Sequence, residues 1–212
     1  MEDQMEILAN NFLDSLKYQC TLNGIKYLFP KTPQVSYPGS GNIKCSGYFD
    51  DAPNPIIACA LDKPTEDWLE ILIHETCHMD QWVENIELWN NIKKDGIDCS
   101  VCMDDWLNGK DFTKEEYTHF IRTMQLVEID CEKRSVDKII HLDIPIDIEG
   151  YIKRANSYLF FYSVILETRK WCDVAPYKIK EIVDVMPSHF LTPDEYKNIN
   201  EDLLKLYQKT YK

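Results

Sequence analysis

The sequence is poor in basic residues, in glycine and in long apolar runs. Its 212 residues include only 7 Gly, and 23 Lys and Arg stand against 36 Asp and Glu, which gives a formal net charge of -13 at pH 7. Nucleic-acid binders gain affinity when clustered Lys and Arg displace counterions from phosphates, and no basic run of that kind is present. We therefore expect no nucleic-acid partner, and an anionic membrane surface is disfavoured on the same grounds.

Membrane-spanning and export signals are also lacking. The longest strongly apolar run, Tyr158–Leu166, is about half of the roughly 20 residues that a membrane helix needs. The first residues, Met1–Glu6, are acidic and lack the basic start and the apolar stretch of a signal peptide. These absences predict a cytoplasmic protein with no membrane partner, in which the eight cysteines are reduced and mostly serve as small core residues.

One pair of cysteines has a spacing that occurs in metal-binding and redox sites. Cys99 and Cys102 form a CxxC pattern, which could hold half of a zinc site or a redox dithiol. A structural zinc site needs two further ligands, and the chain has no second CxxC to supply them. The alternative interpretation, that both are ordinary thiols, stays open.

What the chain does contain indicates a globular α+β protein. Large apolar side chains are abundant, with 44% hydrophobic and 12% aromatic residues. An amphipathic helix is predicted at Asp3–Leu16, and helix-start signals recur later at Thr65, Thr113, Asp147 and Thr192. Between them lie three β-favouring runs, Ile25–Phe29, Ile43–Phe49 and Pro55–Leu61, separated by Pro and Gly clusters at 37–41 and 51–54. A helix, a small sheet and then several helices is the α+β order.

These signals predict a single domain over residues 1–212. A helix and a sheet of about three strands fill 1–64, a long helix dominates 65–94, and 113–212 is mostly helical. The acidic stretch after Asp95-Gly96 is expected to be loop or short helix. Long helices are expected from Thr113 to about His141 and from Ile148 to Trp171.

The helix after Thr65 carries an HExxH motif at His74–His78. Residues four apart on a helix share a face and lie about 6 Å apart along the axis, so two imidazoles can converge on one zinc ion while Glu75 reaches a water beside it. This composition would produce the pattern by chance roughly 0.01 times per chain. The alternative interpretation is an amphipathic helix whose histidines are half-buried core residues.

A catalytic zinc needs a third protein ligand. The downstream candidates are His119, Glu128, Asp130, Glu132 and His141. Glu128 and Glu132 share a face of the helix that starts at Thr113, whereas Asp130 is rotated from Glu128 by roughly 200°. Because the face of these two glutamates is largely apolar, their charges need a partner, which could be a bound cation or an Arg or Lys of another helix.

His74–His78 followed by Glu128–Glu132 resembles the two motifs of the zincin metallopeptidases with a glutamate ligand, the gluzincins. The resemblance covers Pro55–Gln81 and Leu126–Ser135. This chain departs from the family pattern at Cys131, where Ala is usual, and at Glu132, where Asp or Asn is usual. The linking segment of 49 residues between His78 and Glu128 is longer than in compact members of the family.

The resemblance implies a single zincin-like domain whose sheet packs on the motif helix. His74, His78 and Glu128 would bind one Zn²⁺, Glu75 would be the general base, and Glu132 would hydrogen-bond a zinc-bound histidine. The implied function is a zinc-dependent peptidase that acts on proteins or peptides through a zinc-activated water. The alternative function is a zinc-binding structural or interaction protein that does not hydrolyse, and a third hypothesis is a helical protein with a chance motif. By association, a small acidic peptidase of this kind would suit a bacterial or phage gene.

Two further expectations follow from the family. An edge strand before the motif helix pairs with extended substrate, and Pro55–Leu61 holds that place in the sequence. A Tyr or His stabilises the oxyanion of the tetrahedral intermediate. The candidates for this role are His119, His141, Tyr158, Tyr162 and His189, and the sequence leaves the choice among them open.

Overall fold

The computed structural model describes residues 2–37, 43–51 and 53–211 and has the predicted α+β architecture. The N-terminal part contains, in chain order, α1 (Glu2–Leu22), β1 (Lys26–Leu28), β2 (Val35–Ser36), β3 (Lys44–Cys45), β4 (Gly47–Asp50), β5 (Ile56–Cys59) and the motif helix α2 (Thr65–Val83). Then follow α3 (Glu87–Asn90), β6 (Lys93–Lys94), β7 (Ile97–Asp98), α4 (Cys99–Leu107), α5 (Lys114–His141), α6 (Ile148–Thr168), α7 (Lys180–Asp184) and α8 (Glu201–Tyr207). Short 3-10 turns lie at Pro176–Lys178, Glu195–Lys197 and Gln208–Thr210.

A three-stranded sheet packs on the motif helix, as predicted. The strand order is β1-β5-β4, with β5 parallel to β1 and antiparallel to β4. Ile57 of β5 is fully buried and lies opposite Tyr27 on one side and Phe49 on the other. Both β4 and β5 contact α2. The expectation that Pro55–Leu61 forms an edge strand is wrong, because β5 has a hydrogen-bonded neighbour on each side and β4 is an outer strand.

The predicted run Ile43–Phe49 is divided between two pairings. Its first part, β3, pairs antiparallel with β2, and after Ser46 the chain continues as β4 along β5. Val35, Tyr48, Ala58 and Ala60 form a small buried cluster around this division. Most of the predicted turn at 37–41, and Ala52 of the cluster at 51–54, lie outside the described residues.

The chain divides into two compact units. One comprises the residues up to Asn85 together with Asp137–Ile146, and the other comprises Ile86–Val136 with Asp147–Lys212. The core of the second unit is strongly aromatic: Trp106, Phe120, Phe160, Phe161, Tyr162, Tyr196 and Tyr207 are buried in it. The predicted assignment of 1–212 to a single peptidase-like domain stays a prediction.

Local signals explain where the long helices begin and end. The Thr113 hydroxyl accepts from the Glu116 backbone N–H while the Glu116 carboxylate accepts from the Thr113 backbone N–H at 2.7 Å, which confirms the predicted capping box of α5. Helix α6 stops at Thr168, before the predicted Trp171. Arg169 is left-handed there, with φ 51°, and its guanidinium donates to the carbonyls of Trp106 and Lys110.

The segment after α3 is more regular than the sequence predicted. Asp95 and Gly96, with φ 55° and 80°, form the two-residue turn between β6 and β7, a conformation that favours Gly and Asp. The Asp98 side chain then caps α4 by accepting from the N–H groups of Ser100 and Val101. The acidic stretch is therefore a short helix. None of the described helices combines the length and apolar character needed to cross a bilayer.

Candidate metal centre

Helix α2 brings the two motif histidines together. His74 and His78 are one turn apart, with ring centroids separated by 4.7 Å and ring planes at 88°. Leu69, Leu72 and Ile73 are fully buried and anchor the helix in its unit. Pro64 is the residue before the first turn and no side chain caps the helix, so Thr65 is its first residue and not the expected N-cap.

His78 has a hydrogen-bond partner within its own helix. Its Nδ1 lies 2.9 Å from Oε1 of Gln81, and both side chains are buried. An amide oxygen can only accept, so in this bond Nδ1 is the donor, and Nε2 is the nitrogen that would bind a metal. Histidine ligands of metals are commonly oriented by such a bond through the second ring nitrogen.

Glu75 lies against the outer strand β4, at Gly47. Only glycine fits at that position of the strand. A Cβ added to Gly47 would lie 2.7 Å from Cγ2 of Ile71 and 3.3 Å from Cγ of Glu75. It would also lie 3.0 Å from the carbonyl oxygen of Ala58. The absence of a side chain at Gly47 therefore allows β4 to approach the motif helix closely at the predicted general base.

Glu132 of α5 has a tyrosine partner on α6. The Tyr151 hydroxyl donates to Oε2 of Glu132 at 2.7 Å. Burial, with Tyr158 and Glu128 nearby, raises the pKa of Tyr162 well above its usual range. Burial, followed by the nearby glutamate charge, raises the pKa of Tyr151 well above its usual range. The same causes raise the pKa of Tyr158, so both phenols remain neutral.

His74, Glu128 and Glu132 form a group that could hold a metal ion. Ligand-capable atoms of His74, Glu128 and Glu132 all lie within 4.8 Å of one another. A second group with the same spacing consists of His74, His78 and Cys131. Imidazole, carboxylate and thiolate are all donors that zinc accepts.

The remaining candidates for the third ligand lie in other environments. Asp130 pairs with Arg134 at 2.7 Å on the same helix, and His119 and His141 are exposed. Of the oxyanion candidates, His119, His141 and His189 are exposed, Tyr158 is half-buried and Tyr162 is buried.

The CxxC pair is not part of the groups described above. None of the eight cysteines is in a disulfide. Cys99 is the first residue of α4 and is buried, and burial raises the pKa of its thiol. A raised pKa is the opposite of what a reactive thiolate needs, so a redox role for Cys99 is disfavoured.

Comparisons with known proteins add no relative. No protein-family model, curated protein or solved structure matches this chain. Function is therefore inferred from the side chains that the fold brings together.

Several residues of this site were missed by the sequence prediction. Gln81 follows His78 at helical spacing, so an i, i+3 pattern after the motif was an available signal. Cys131 was noted only as a departure from the family pattern. Tyr151 carries no local signal, because its contact with Glu132 depends on how α5 and α6 pack within their unit.

Proposed function

We propose that this protein is a zinc-dependent metallopeptidase of the glutamate-ligand, zincin-like kind. The observation that carries the proposal is the convergence of ligand atoms of His74, Glu128 and Glu132 within 4.8 Å, with Glu75 next to His74 in the HExxH motif. His74, His78 and Glu128 would hold the ion. A zinc ion in such a site supplies Lewis-acid chemistry, since it polarises a carbonyl and lowers the pKa of a water to about 7.

The residues of the chain would supply proton transfer and orientation. Glu75 would take a proton from the attacking water and deliver it to the leaving amine, the usual role of a carboxylate general base. Gln81 would hold the His78 ring through Nδ1, and Glu132 would help to orient the histidines.

The sheet supports an extended peptide as substrate. Outer strands can pair with a peptide through backbone hydrogen bonds, and such pairing places few demands on side chains. We assign this role to β4 because Gly47 brings it against Glu75. The net charge of -13 would repel acidic peptides, so neutral or basic peptides are the expected substrates.

The test of hydrolysis is the variant Glu75→Gln, which keeps the shape of the side chain and removes its basicity. We expect it to keep near-stoichiometric zinc and to lose peptidase activity by at least about 10²-fold, the contribution of a general base. Activity is measured on quenched fluorescent peptides of basic and acidic composition, and zinc by elemental analysis. The matched control is Glu66→Gln, on the exposed first turn of the same helix, which should leave both readouts unchanged.

One observation favours a second function, a structural zinc site without hydrolysis. Sγ of Cys131 and ring nitrogens of both motif histidines lie within 4.8 Å of one another. Together with Glu128, Cys131 would give four protein ligands, and a catalytic zinc must keep one position open for water. Cys131→Ser separates the two functions. Activity that survives this change with bound zinc supports the peptidase, whereas loss of zinc from the variant and no activity in the unchanged protein support the structural site.

A further inference from the structure

A cavity of about 440 Å³ lies beside the HExxH helix, within the first of the two compact units. It is bordered by α1, by Thr76 of α2 and by the stretch from Asp137 to Ile144 around the end of α5, all of which belong to that unit. Thr76 is rotated by roughly 200° from each motif histidine about the helix axis, so the cavity is on the side of α2 away from their imidazoles. Ligand pockets commonly measure about 300–1,000 Å³, so a small organic molecule would fit.

The wall that α1 contributes is apolar but incompletely buried. The residues of α1 that are buried in the unit are Ala9, Leu13, Leu16 and Cys20. Leu8 and Phe12 lie on the neighbouring face of the helix, border the cavity and are only half-buried. Leu142, just after α5, also borders the cavity and is 40% exposed. Apolar side chains in this state gain free energy when a ligand removes them from water.

The deepest part of the cavity has little to offer a polar ligand. Thr76, only 2% exposed, donates its hydroxyl proton to the backbone carbonyl of Leu72 at 2.6 Å, so its donor is already used within α2. Leu16 and Ile144, the other buried residues at the cavity, are apolar. We therefore expect this part to take an alkyl or aromatic group.

The charges at the cavity favour a cationic head group. Nζ of Lys138 lies 2.6 Å from Oδ2 of Asp80, so the positive charge of this lysine is already compensated. The carboxylate of Asp137 borders the cavity from an exposed position. The chain as a whole carries a net charge of -13, so an anionic ligand would be repelled.

We infer that this cavity binds an amphipathic amine, a small molecule with an alkyl or aromatic body and a protonated amino group. The body would lie against Leu8, Phe12 and Leu142, and the ammonium group would lie near the Asp137 carboxylate. The site is independent of the proposed peptidase function, because none of the residues that border it is a proposed metal ligand or the proposed general base.

Binding is measured by titration with Nile red, an uncharged dye that fluoresces in apolar surroundings, and by displacement of the dye with octylamine, octanol and octanoate at pH 8. The three competitors share one alkyl chain and differ in the charge of the head group, and at this pH an alkylamine is protonated and a carboxylate is ionised. We expect octylamine to displace the dye at about 10-fold lower concentration than octanoate, with octanol between them, because an exposed ion pair contributes modestly and a like charge opposes binding.

A first pair of variants locates the apolar part of the site. Ser15→Trp changes an exposed residue of α1 that borders the cavity, and it should weaken dye binding by at least about 10-fold because the dye and the indole compete for one volume. The control is Asn10→Trp, the same substitution at an exposed position of α1 that does not border the cavity. It should bind the dye as the unchanged protein does.

A second pair tests the charge. Asp137→Asn should reduce the preference for octylamine over octanoate to about 3-fold or less, and should leave the affinity for octanol unchanged. The control is Glu6→Gln, which removes an exposed carboxylate of α1 that does not border the cavity, and the preference should persist in it.

Several results would overturn the inference. These are a lack of saturable dye binding by the unchanged protein, undiminished binding by Ser15→Trp with helical circular dichroism retained, or displacement by octanoate at the same concentration as octylamine. A dimer of the unchanged protein that Ser15→Trp dissociates would overturn it too, because a second copy would then cover the cavity. Should Ser15→Trp lose its helical circular dichroism, Asp137→Asn decides: a reduced preference for octylamine supports the inference, and an unchanged preference overturns it.

Failure of the proposed function is distinguishable from failure of this inference. A protein that binds octylamine and has no zinc contradicts the proposed metal site alone. A protein that binds zinc and hydrolyses peptides, but does not bind the dye, contradicts the amine site alone.

Discussion

Gln81 shows how one side chain can set the chemistry of its neighbour. Its amide oxygen accepts from Nδ1 of His78 at 2.9 Å in a buried environment. This bond favours the tautomer with its proton on Nδ1 and restricts rotation of the ring. An imidazole held in this way loses less freedom when it binds a metal than a ring that can rotate.

Replacement of Gln81 by Leu should therefore weaken zinc binding by at least about 10-fold, measured by chelator competition, with helical circular dichroism retained. The matched control is Gln125→Leu. Gln125 is also buried, but its amide donates to the backbone carbonyl of Leu159. We expect Gln125→Leu to reduce stability and to leave zinc affinity unchanged. If Gln81→Leu and Gln125→Leu bind zinc with equal affinity, Gln81 does not orient His78.

Among individual residues, those of the site that could be predicted lie one helical turn apart in the sequence. His74, Glu75 and His78 follow from the i, i+4 geometry of one helix, and Glu128 and Glu132 follow from the same geometry on another. The hydroxyl of Tyr151 could not be predicted, because its acceptor lies 19 residues away on a different helix. Contacts of this kind depend on packing, which no periodic pattern encodes.

Among the helices, the capping boxes show what a local signal can and cannot determine. The pattern at Thr113 begins the 28-residue helix α5, whereas the same pattern at Thr192 forms all its hydrogen bonds and is followed by only a 3-10 turn at Glu195–Lys197. A cap satisfies the first N–H groups of a helix but does not sustain it. An apolar face does that, and α5 has one over Ile121, Cys131 and Ile139.

The Thr113 box gives a prediction for pH. Hydrogen bonds from the Thr113 backbone N–H and hydroxyl hold the pKa of Glu116 below its usual value. The folded-state pKa is therefore lower than that of the unfolded chain. The stabilising contribution of Glu116 is complete above the usual glutamate pKa and is lost as the pH falls through the lowered value.

We therefore expect Glu116→Ala to unfold at lower urea concentration than the unchanged protein at pH 7, and the difference to shrink in acid below the usual glutamate range. Urea titrations at several pH values measure this. Glu115→Ala is the control, since Glu115 is an exposed neighbour in the same first turn. A difference for Glu116→Ala that is independent of pH would contradict the proposed origin in the charged carboxylate.

Strand order is the element-scale feature that the sequence could not supply. The run Pro55–Leu61 indicated a strand, and β5 is one, but nothing in that run states that both of its sides are paired. The neighbours β1 and β4 come from residues 26–28 and 47–50, and their arrangement depends on which registers bury Ile57 and Ala58. Alternation of side chains predicts strands, and only packing decides their order.

At the scale of the whole molecule, a cation should stabilise the fold. The chain carries a net charge of -13, and Glu132 of the candidate site is buried. A ligand that binds only the folded state adds free energy of unfolding in proportion to the logarithm of its concentration. At a ligand concentration 100 times the dissociation constant, the added free energy of unfolding is about 2.7 kcal/mol.

Zinc at that ratio should therefore raise the melting temperature by about 5–10 °C for a chain of this length, as measured by scanning calorimetry. A chelator should reverse the increase. His78→Ala should abolish it, and Ca²⁺ should produce a much smaller one because the site offers imidazole nitrogens, which Ca²⁺ rarely accepts. An equal increase with Ca²⁺, or an increase that persists in His78→Ala, would locate the cation elsewhere on the acidic surface.

The close approach at Gly47 also limits how the sequence can diverge. Gly47 is not among the glycines with positive φ, so the position excludes side chains for lack of space and not because of backbone conformation. An alanine here would collide with Ile71 and crowd the carbonyl oxygen of Ala58, so a relative with the same arrangement should keep the glycine, with a residue at position 71 that fits against it. This predicts a signature by which distant relatives could be recognised. It is a glycine in the outer strand that covaries with the residue four positions before the glutamate of the HExxH motif.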